Sequence, residues 1–272
     1  MPTERRPRGR PKGFDSDPTQ VVNQSLDRAI DLLATLAAGG AMTLSQLSVA
    51  MGQSSATLYR LLTTFQLREM VEVDPMTQAW SVGPATFRLG AAFLRRSDVV
   101  DRARPAMRRL MEETGETSNL GIERGHQVLF ISQVETHESI RAFFPPGTLS
   151  PLHASGIGKA LLAHLPQDRL ARLLATGPLE RFTGRTLTDP DTLMSELERI
   201  RTQGFAFDDE EKAEGMRCIA APILNIHGEA VAGISISGPS NRISRERADL
   251  IGAIVREAAQ DVSRRLGAPV SQ

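Results

Sequence analysis

The residues of this chain best suited to chemistry are hydrogen-bond donors rather than nucleophiles. The segment Ser54-Ser55-Ala56-Thr57-Leu58-Tyr59-Arg60 opens a helical pattern, and setting aside the inward Leu58 leaves Ser55, Thr57, Tyr59 and Arg60 on or near one face. Hydroxyls suit phosphates and base edges. A guanidinium at position 60 can clamp a phosphate or read a guanine bidentately.

A second donor set lies at the start. Pro7-Arg8-Gly9-Arg10-Pro11-Lys12-Gly13 places Arg8 and Arg10 around a glycine and between prolines. Glycine lets the backbone lie deep, proline holds it extended, and two arginines reach into the narrow, negative minor groove of A·T tracts. The segment resembles an AT-hook. A nonspecific phosphate-binding tail is the plainer reading of the same residues.

Catalytic readings fare worse. Cys218 is the single cysteine, so neither an internal disulfide nor a multi-cysteine zinc site is available. A Cys218 nucleophile with His153 as base is conceivable, but Cys218-Ile219-Ala220-Ala221-Pro222-Ile223 reads as a buried strand. Gly156-Ile157-Gly158-Lys159 looks like the end of a phosphate loop and fails twice: His153 stands where its first glycine belongs, and Ala160 follows the lysine. The five histidines lack metal-ligand spacing, and the acidic run Asp208-Asp209-Glu210-Glu211 reads as a solvated turn with Asp208 alone looking inward. We therefore expect no catalytic residue, no metal and no cofactor.

Elements must position the donors. Residues 1–20 lack hydrophobic periodicity and read as a basic, disordered arm. From Ser25, taken as the cap, Leu26, Ile30, Leu33 and Ala37 recur at helical spacing until Gly39-Gly40. Thr43 caps a short helix ended by Gly52, and Ser55 to Leu67 forms a third with Leu58, Leu61, Leu62 and Phe65 inward. Met70 to Val73 and Gln78 to Val82 form a hairpin around Asp74-Pro75-Met76-Thr77. Three helices and a hairpin over residues 21–83 outline a winged helix-turn-helix. Pro84 then opens a linker helix over 84–97.

Beyond it, residues 98–267 form a second domain. A helix from Asp98 to Glu113 contains Pro105, a residue able to kink it. The period then shifts to two: Thr117 to Glu123 and Gln127 to Val134 form a hairpin, with Ile140 to Phe144 as a third strand. Helices follow at 157–164, 167–175 and 191–203. Strands follow at 205–207, 218–226 and 229–237, and a last helix runs from the Ser244 cap to about Leu266. Mixed order with hairpins implies an α+β domain on an antiparallel sheet.

Length and composition agree with a folded chain of one large or two ordinary domains: 272 residues, 40% apolar and 24% charged, with 32 basic and 32 acidic side chains. The neutral total hides an asymmetry. Residues 1–97 hold 11 basic against 8 acidic side chains, and the first thirteen residues hold Arg5, Arg6, Arg8, Arg10 and Lys12 against Glu4 alone, which suggests a polyanionic partner. With no apolar run long enough for a bilayer and no secretory signal, a soluble cytoplasmic protein without a membrane partner is expected.

Several separated segments carry a family resemblance. Ser25 to Leu33, Ser55 to Leu62, Val82-Gly83-Pro84, Leu152 to Ala163, Cys218 to Ile223 and Ala232 to Pro239 together resemble the IclR family of bacterial transcription regulators. The resemblance runs over about residues 20–267 and implies a winged helix-turn-helix, a linker helix and a GAF-like effector domain, usually assembled as a dimer of dimers. Its glyoxylate-sensing members imply an effector pocket from the main-chain amides of Gly156 and Ile157 with Asp208, Cys218, Ser235 and Ser237.

The residues support that transfer in part. Gly156 and Ile157 begin a helix whose free amides attract a carboxylate, and Ser235 and Ser237, two apart on a strand, face one side. An inward Ile157 side chain would shrink the cavity. Leu120, Ile122, Leu129, Ile131 and Phe143 are candidates for its apolar lining. The expectation is a DNA-binding regulator whose grip on a palindromic operator answers to glyoxylate or a related 2-oxo acid. The alternatives are an aromatic or sugar acid as effector, or a metabolite-binding module that touches no DNA.

Overall fold

The computed structural model describes residues 23–95 and 98–269, so the arm carrying Arg8 and Arg10 lies outside the described residues. The chain divides into two compact units, residues 1–93 and 94–272.

In the first unit, α1 spans Gln24–Gly39 and is capped by Asn23, not by Ser25. Asn23 Oδ1 accepts from the amides of Ser25 and Leu26 at 3.1 and 3.2 Å, which puts Ser25 inside the first turn. Asparagine caps as well as serine does, and the earlier one takes the role. Gly40, at φ 71°, ends the helix.

Thr43 ends the two-residue strand β1 (Met42–Thr43) and caps α2 (Leu44–Met51). Its hydroxyl accepts from Gln46 N while Gln46 Oε1 accepts from Thr43 N at 2.8 Å, a reciprocal capping box. Gly52 turns left-handed at φ 61°, and Ser54 caps α3 (Ser55–Gln66). Strands β2 (Val71–Val73) and β3 (Ala79–Val82) form the expected hairpin, and β1 adds to the far side of β3. Pairs spaced four apart, Leu32 with Leu36 and Leu58 with Leu62, meet Leu47, Val71 and Trp80 in one core. Pro84 opens α4 (Pro84–Arg95).

The second unit begins with α5 (Asp98–Thr114), which carries Pro105 within its run and ends before Gly115 at φ 72°. Then come β4 (Thr117–Arg124), β5 (Gln127–Val134), β6 (Leu149–Pro151), α6 (Gly156–Leu162), α7 (Gln167–Leu174), α8 (Pro190–Gln203), β7 (Ala206–Asp209), β8 (Met216–Leu224) and β9 (Ala230–Pro239). A single 3-10 turn at Arg245–Arg247 leads into α9 (Ala248–Arg265). The strands form one antiparallel sheet in the order β6-β5-β4-β9-β8-β7.

Alternation along the strands sends neighbouring residues to opposite faces. One face packs Ile219, Ile234 and Ile236 against Met107, Val255 and Val262 of α5 and α9. The other packs Ala206 and Ala220 against Ile157, Leu161, Leu193 and Leu197 of α6 and α8. No helix among the described residues is long and apolar enough to cross a membrane.

Ile140 to Phe144 is not a strand. Ile140 and Phe143 are exposed, and Phe144 stacks on Phe130 with ring centroids 4.9 Å apart. The edge beside β5 is taken by β6, preceded by Gly147 N donating to Phe130 O at 2.8 Å and Phe130 N donating to Thr148 O at 2.9 Å. Pro145 and Pro146 have no amide to offer a ladder, so pairing starts after them.

Candidate functional site

In the first unit the donor face of α3 is partly spent on its own cap. Ser54 Oγ accepts from Thr57 N at 3.2 Å and lies 2.9 Å from Thr57 Oγ1, so these two hydroxyls fix the start of the helix. Ser55, Tyr59 and Arg60 are exposed, and no ion pair among the described residues engages Arg60. The side chains left free to reach outward are therefore Ser55, Tyr59 and Arg60, with Thr57 half-buried beside them.

The hairpin tip is built differently. Asp74 Oδ1 accepts from Met76 N at 2.7 Å and Thr77 N at 3.2 Å, and those amides hold its carboxyl below the usual range. Its charge is turned onto its own backbone, and Met76 stands exposed at the tip.

In the second unit, strand register brings the expected effector residues together. Asp208 pairs with Cys218, Cys218 with Ser237, and Ser237 with Thr117. The next row on the same face pairs Ala206 with Ala220, Ala220 with Ser235, and Ser235 with Asn119. Four of the six expected residues thus occupy two adjacent rows of a single face.

Helix α6 starts over those rows. Ser155 caps it, accepting from Gly158 N at 3.2 Å and donating to Pro151 O at 2.8 Å, while Gly156 lies so close that an added Cβ would sit 2.8 Å from Cys218 Sγ. The cap serves Gly158, which leaves the amides of Gly156 and Ile157 at the open end of the helix.

Burial decides the electrostatics. Ser235 is fully buried, and its Oγ meets no nitrogen or oxygen partner, only the weakly bonding sulfur of Cys218. An enclosed hydroxyl so poorly partnered is costly, so it marks a place where a better partner belongs. Ser237 Oγ accepts from Asn119 Nδ2 at 3.3 Å, and Asn119 Oδ1 accepts from Gln133 Nε2 at 3.0 Å. The Cys218 thiol is pushed up to about 11, by burial first and then by the Asp208 carboxylate, while the dipoles of Ser237, Ser235 and the Gly156 amide pull the other way. It stays protonated at neutral pH, the opposite of an activated nucleophile.

Asp208 is raised to about 7, chiefly by burial and then by the neighbouring Glu211 carboxylate, against the opposing pull of Lys159. Its Oδ1 accepts from Glu211 N at 2.9 Å. Lys159 is itself fully buried, donating to Phe207 O at 2.7 Å and pairing with Glu211 and, at 3.6 Å, Glu196. Its charge is committed to those carboxylates.

This buried carboxyl gives a pH signature. The native state keeps its proton up to about pH 7, whereas an unfolded Asp releases it near 3.8, so the native state binds more protons in between and stability falls as pH rises through that window. The span corresponds to something of order 4 kcal/mol. Asp208→Asn keeps an acceptor for Glu211 N and removes the titration. Thermal melts from pH 4 to 8 should show the variant gaining on the wild type as pH rises, and parallel curves would refute the assignment.

Two groups escape the sequence reading. Asn119 is a polar residue mid-strand whose parity places it with Ser235, a signal visible only once the strands are paired. Lys159, which the sequence offers as a failed phosphate loop, is a structural ion-pair partner. The apolar lining is a correction. Leu120 and Ile131 are buried in the α5–α9 core, Ile122 and Leu129 pack against that core, and Phe143 is exposed. On β4 the positions facing α6 are Asn119 and Gly121, one residue out of step with the apolar ones.

Comparison with known proteins agrees with both units. The model described as Bacterial transcriptional regulator IclR C-terminal matches residues 91–264, and the IclR helix-turn-helix domain matches residues 25–75. The chain is 53% identical over 258 residues to the HTH-type transcriptional regulator BhcR of Paracoccus denitrificans, covering 95% of this chain and 92% of that one. It is 40% identical over 266 residues to the HTH-type transcriptional repressor AllR of Escherichia coli K12, covering 97% and 98%. Among solved structures, IclR of Thermotoga maritima superposes with a TM-score of 0.78 at 29% identity, over 90% of this chain and 99% of that one. An IclR homolog from Microbacterium hydrocarbonoxydans complexed with 4-hydroxybenzoate gives 0.77 at 26% identity, over 89% and 98%.

Proposed function

Because the chain belongs to the IclR family and is a DNA-binding transcriptional regulator, not an enzyme, we propose that glyoxylate or a closely related small 2-oxo acid controls its grip on an operator. The observation that carries this reading is the pair of rows under α6. Asp208, Cys218 and Ser237 stand beside Ser235, whose buried hydroxyl has no nitrogen or oxygen partner. A small oxyanion there meets two hydroxyls, a thiol and two amides, with no free cation needed. Asp208, raised to about 7, carries its proton in a large share of molecules at neutral pH, and in that form it donates a hydrogen bond to a carbonyl or hydrate oxygen rather than repelling the acid.

At the other end, Arg60, Tyr59 and Ser55 reach into a major groove, Ser54 and Thr57 hold the helix start against phosphate, and the hairpin at Asp74 to Gln78 rests on the backbone. Two copies in a symmetric dimer present their α3 helices about 34 Å apart on a palindromic site, and a dimer of dimers repeats the arrangement. The acid switches binding only by its unequal affinity for two arrangements, a coupling of about 1–3 kcal/mol in typical cases.

A thermal-shift screen tests the acid. Glyoxylate should raise the melting temperature by mass action, and silence of glyoxylate and its homologues beside a response to 4-hydroxybenzoate would move the protein to an aromatic effector. The arm is tested separately. Arg8 and Arg10 in a minor groove predict that deleting residues 1–13 weakens A·T-flanked duplexes most, whereas equal loss on G·C-flanked duplexes would leave only an electrostatic tail.

A further inference from the structure

We infer that the Ile157 side chain fixes the length of acid this site admits, closing it to 2-oxo acids that carry an alkyl chain. The inference rests on the acid-site reading above and adds its size limit. Ile157 is fully buried, and its side chain lies over Gly233 of β9 and Gly121 of β4, which pair directly with each other. A Cβ on Gly233 would come within 2.7 Å of Ile157 Cγ2, and one on Gly121 would lie 3.4 Å from Ile157 Cδ1. Gly121 makes room for Val128 as well, at 2.5 Å.

Glycine inside a strand weakens it, and a common reason for keeping one is close approach by another group. Here two paired glycines form a trough, and the branched side chain of Ile157 fills it. The next pair along the same face is Asn119 with Ser235, about 7 Å further on. An acid held by Ser235, Ser237 and Cys218 therefore has Ile157 as its wall on the Gly121–Gly233 side. Gly156 closes another side against Cys218. An aldehyde hydrogen asks the least room beside that wall, whereas a methyl or ethyl group runs into a side chain already packed onto Gly233 and Gly121.

Calorimetric titration of glyoxylate, pyruvate and 2-oxobutanoate into the full-length protein tests this, using wild type, Ile157→Val and Ile157→Ala. The wild type should favour glyoxylate, losing roughly tenfold or more in affinity with each added carbon. Ile157→Ala should bind 2-oxobutanoate at least about tenfold more tightly than the wild type does, with Ile157→Val between them. Valine keeps most of the buried volume, so a graded shift there reports the site even where alanine costs stability. If the variants keep the wild-type affinity ratios among the three acids, the inference fails while the acid site stands. If the wild type binds none of the three, both fail together.

Discussion

Arg60→Ala weakens duplex binding by decades and leaves acid binding intact. The guanidinium is exposed on α3, engaged by no ion pair among the described residues, so its truncation disturbs no packing and no charge partner. Loss of a bidentate guanine or phosphate contact costs about 1–3 kcal/mol, and a two-headed complex loses it twice, so affinity falls by roughly one and a half to four decades. The thermal shift produced by glyoxylate should equal that of the wild type. Loss of both responses would indicate misfolding and withdraw the assignment.

The second large effect belongs to Ser235→Ala combined with Ser237→Ala. Two hydrogen bonds to a charged acceptor are worth about 1.5–3 kcal/mol each, so acid affinity should drop by two to three decades or more. Stability should move little. Ser235 Oγ gives up only its weak contact with the Cys218 thiol, and Ser237 gives up the same kind of contact together with one long bond from Asn119 Nδ2. An unchanged melting temperature beside a vanished calorimetric signal is the expected pair of results. Unchanged affinity would remove the hydroxyls from the site.

What the sequence shows of this molecule depends on how local the determining interactions are. The helices of the first unit are legible because leucines four apart, Leu32 with Leu36 and Leu58 with Leu62, meet one core. Strand β1 has two residues, too few to show a period, and exists only because Trp80 and Ala79 offer it an edge. The segment at Ile140 has the apolar residues of a strand, yet the β5 edge pairs beyond two prolines that cannot join a ladder.

The site divides in the same way. Ser235 and Ser237 share a face by their spacing alone, and that much is readable. Their alignment with Cys218 and Asp208 needs β9 beside β8 and β8 beside β7, and Asn119 arrives from 118 positions away. The neutralisation of Lys159 depends on carboxylates at 196 and 211, which no local pattern around Gly156 announces. Family resemblance supplied the candidate residues, and pairing places four of them on one surface.

The most direct measurement is fluorescence anisotropy of a duplex from the promoter region upstream of this protein's own gene, titrated with the full-length chain at 0.15 M salt with and without glyoxylate. The account predicts saturable binding that weakens steeply with salt and a midpoint that glyoxylate moves about 5- to 150-fold. No binding to that duplex, or a midpoint indifferent to glyoxylate while calorimetry shows the acid bound, would contradict it.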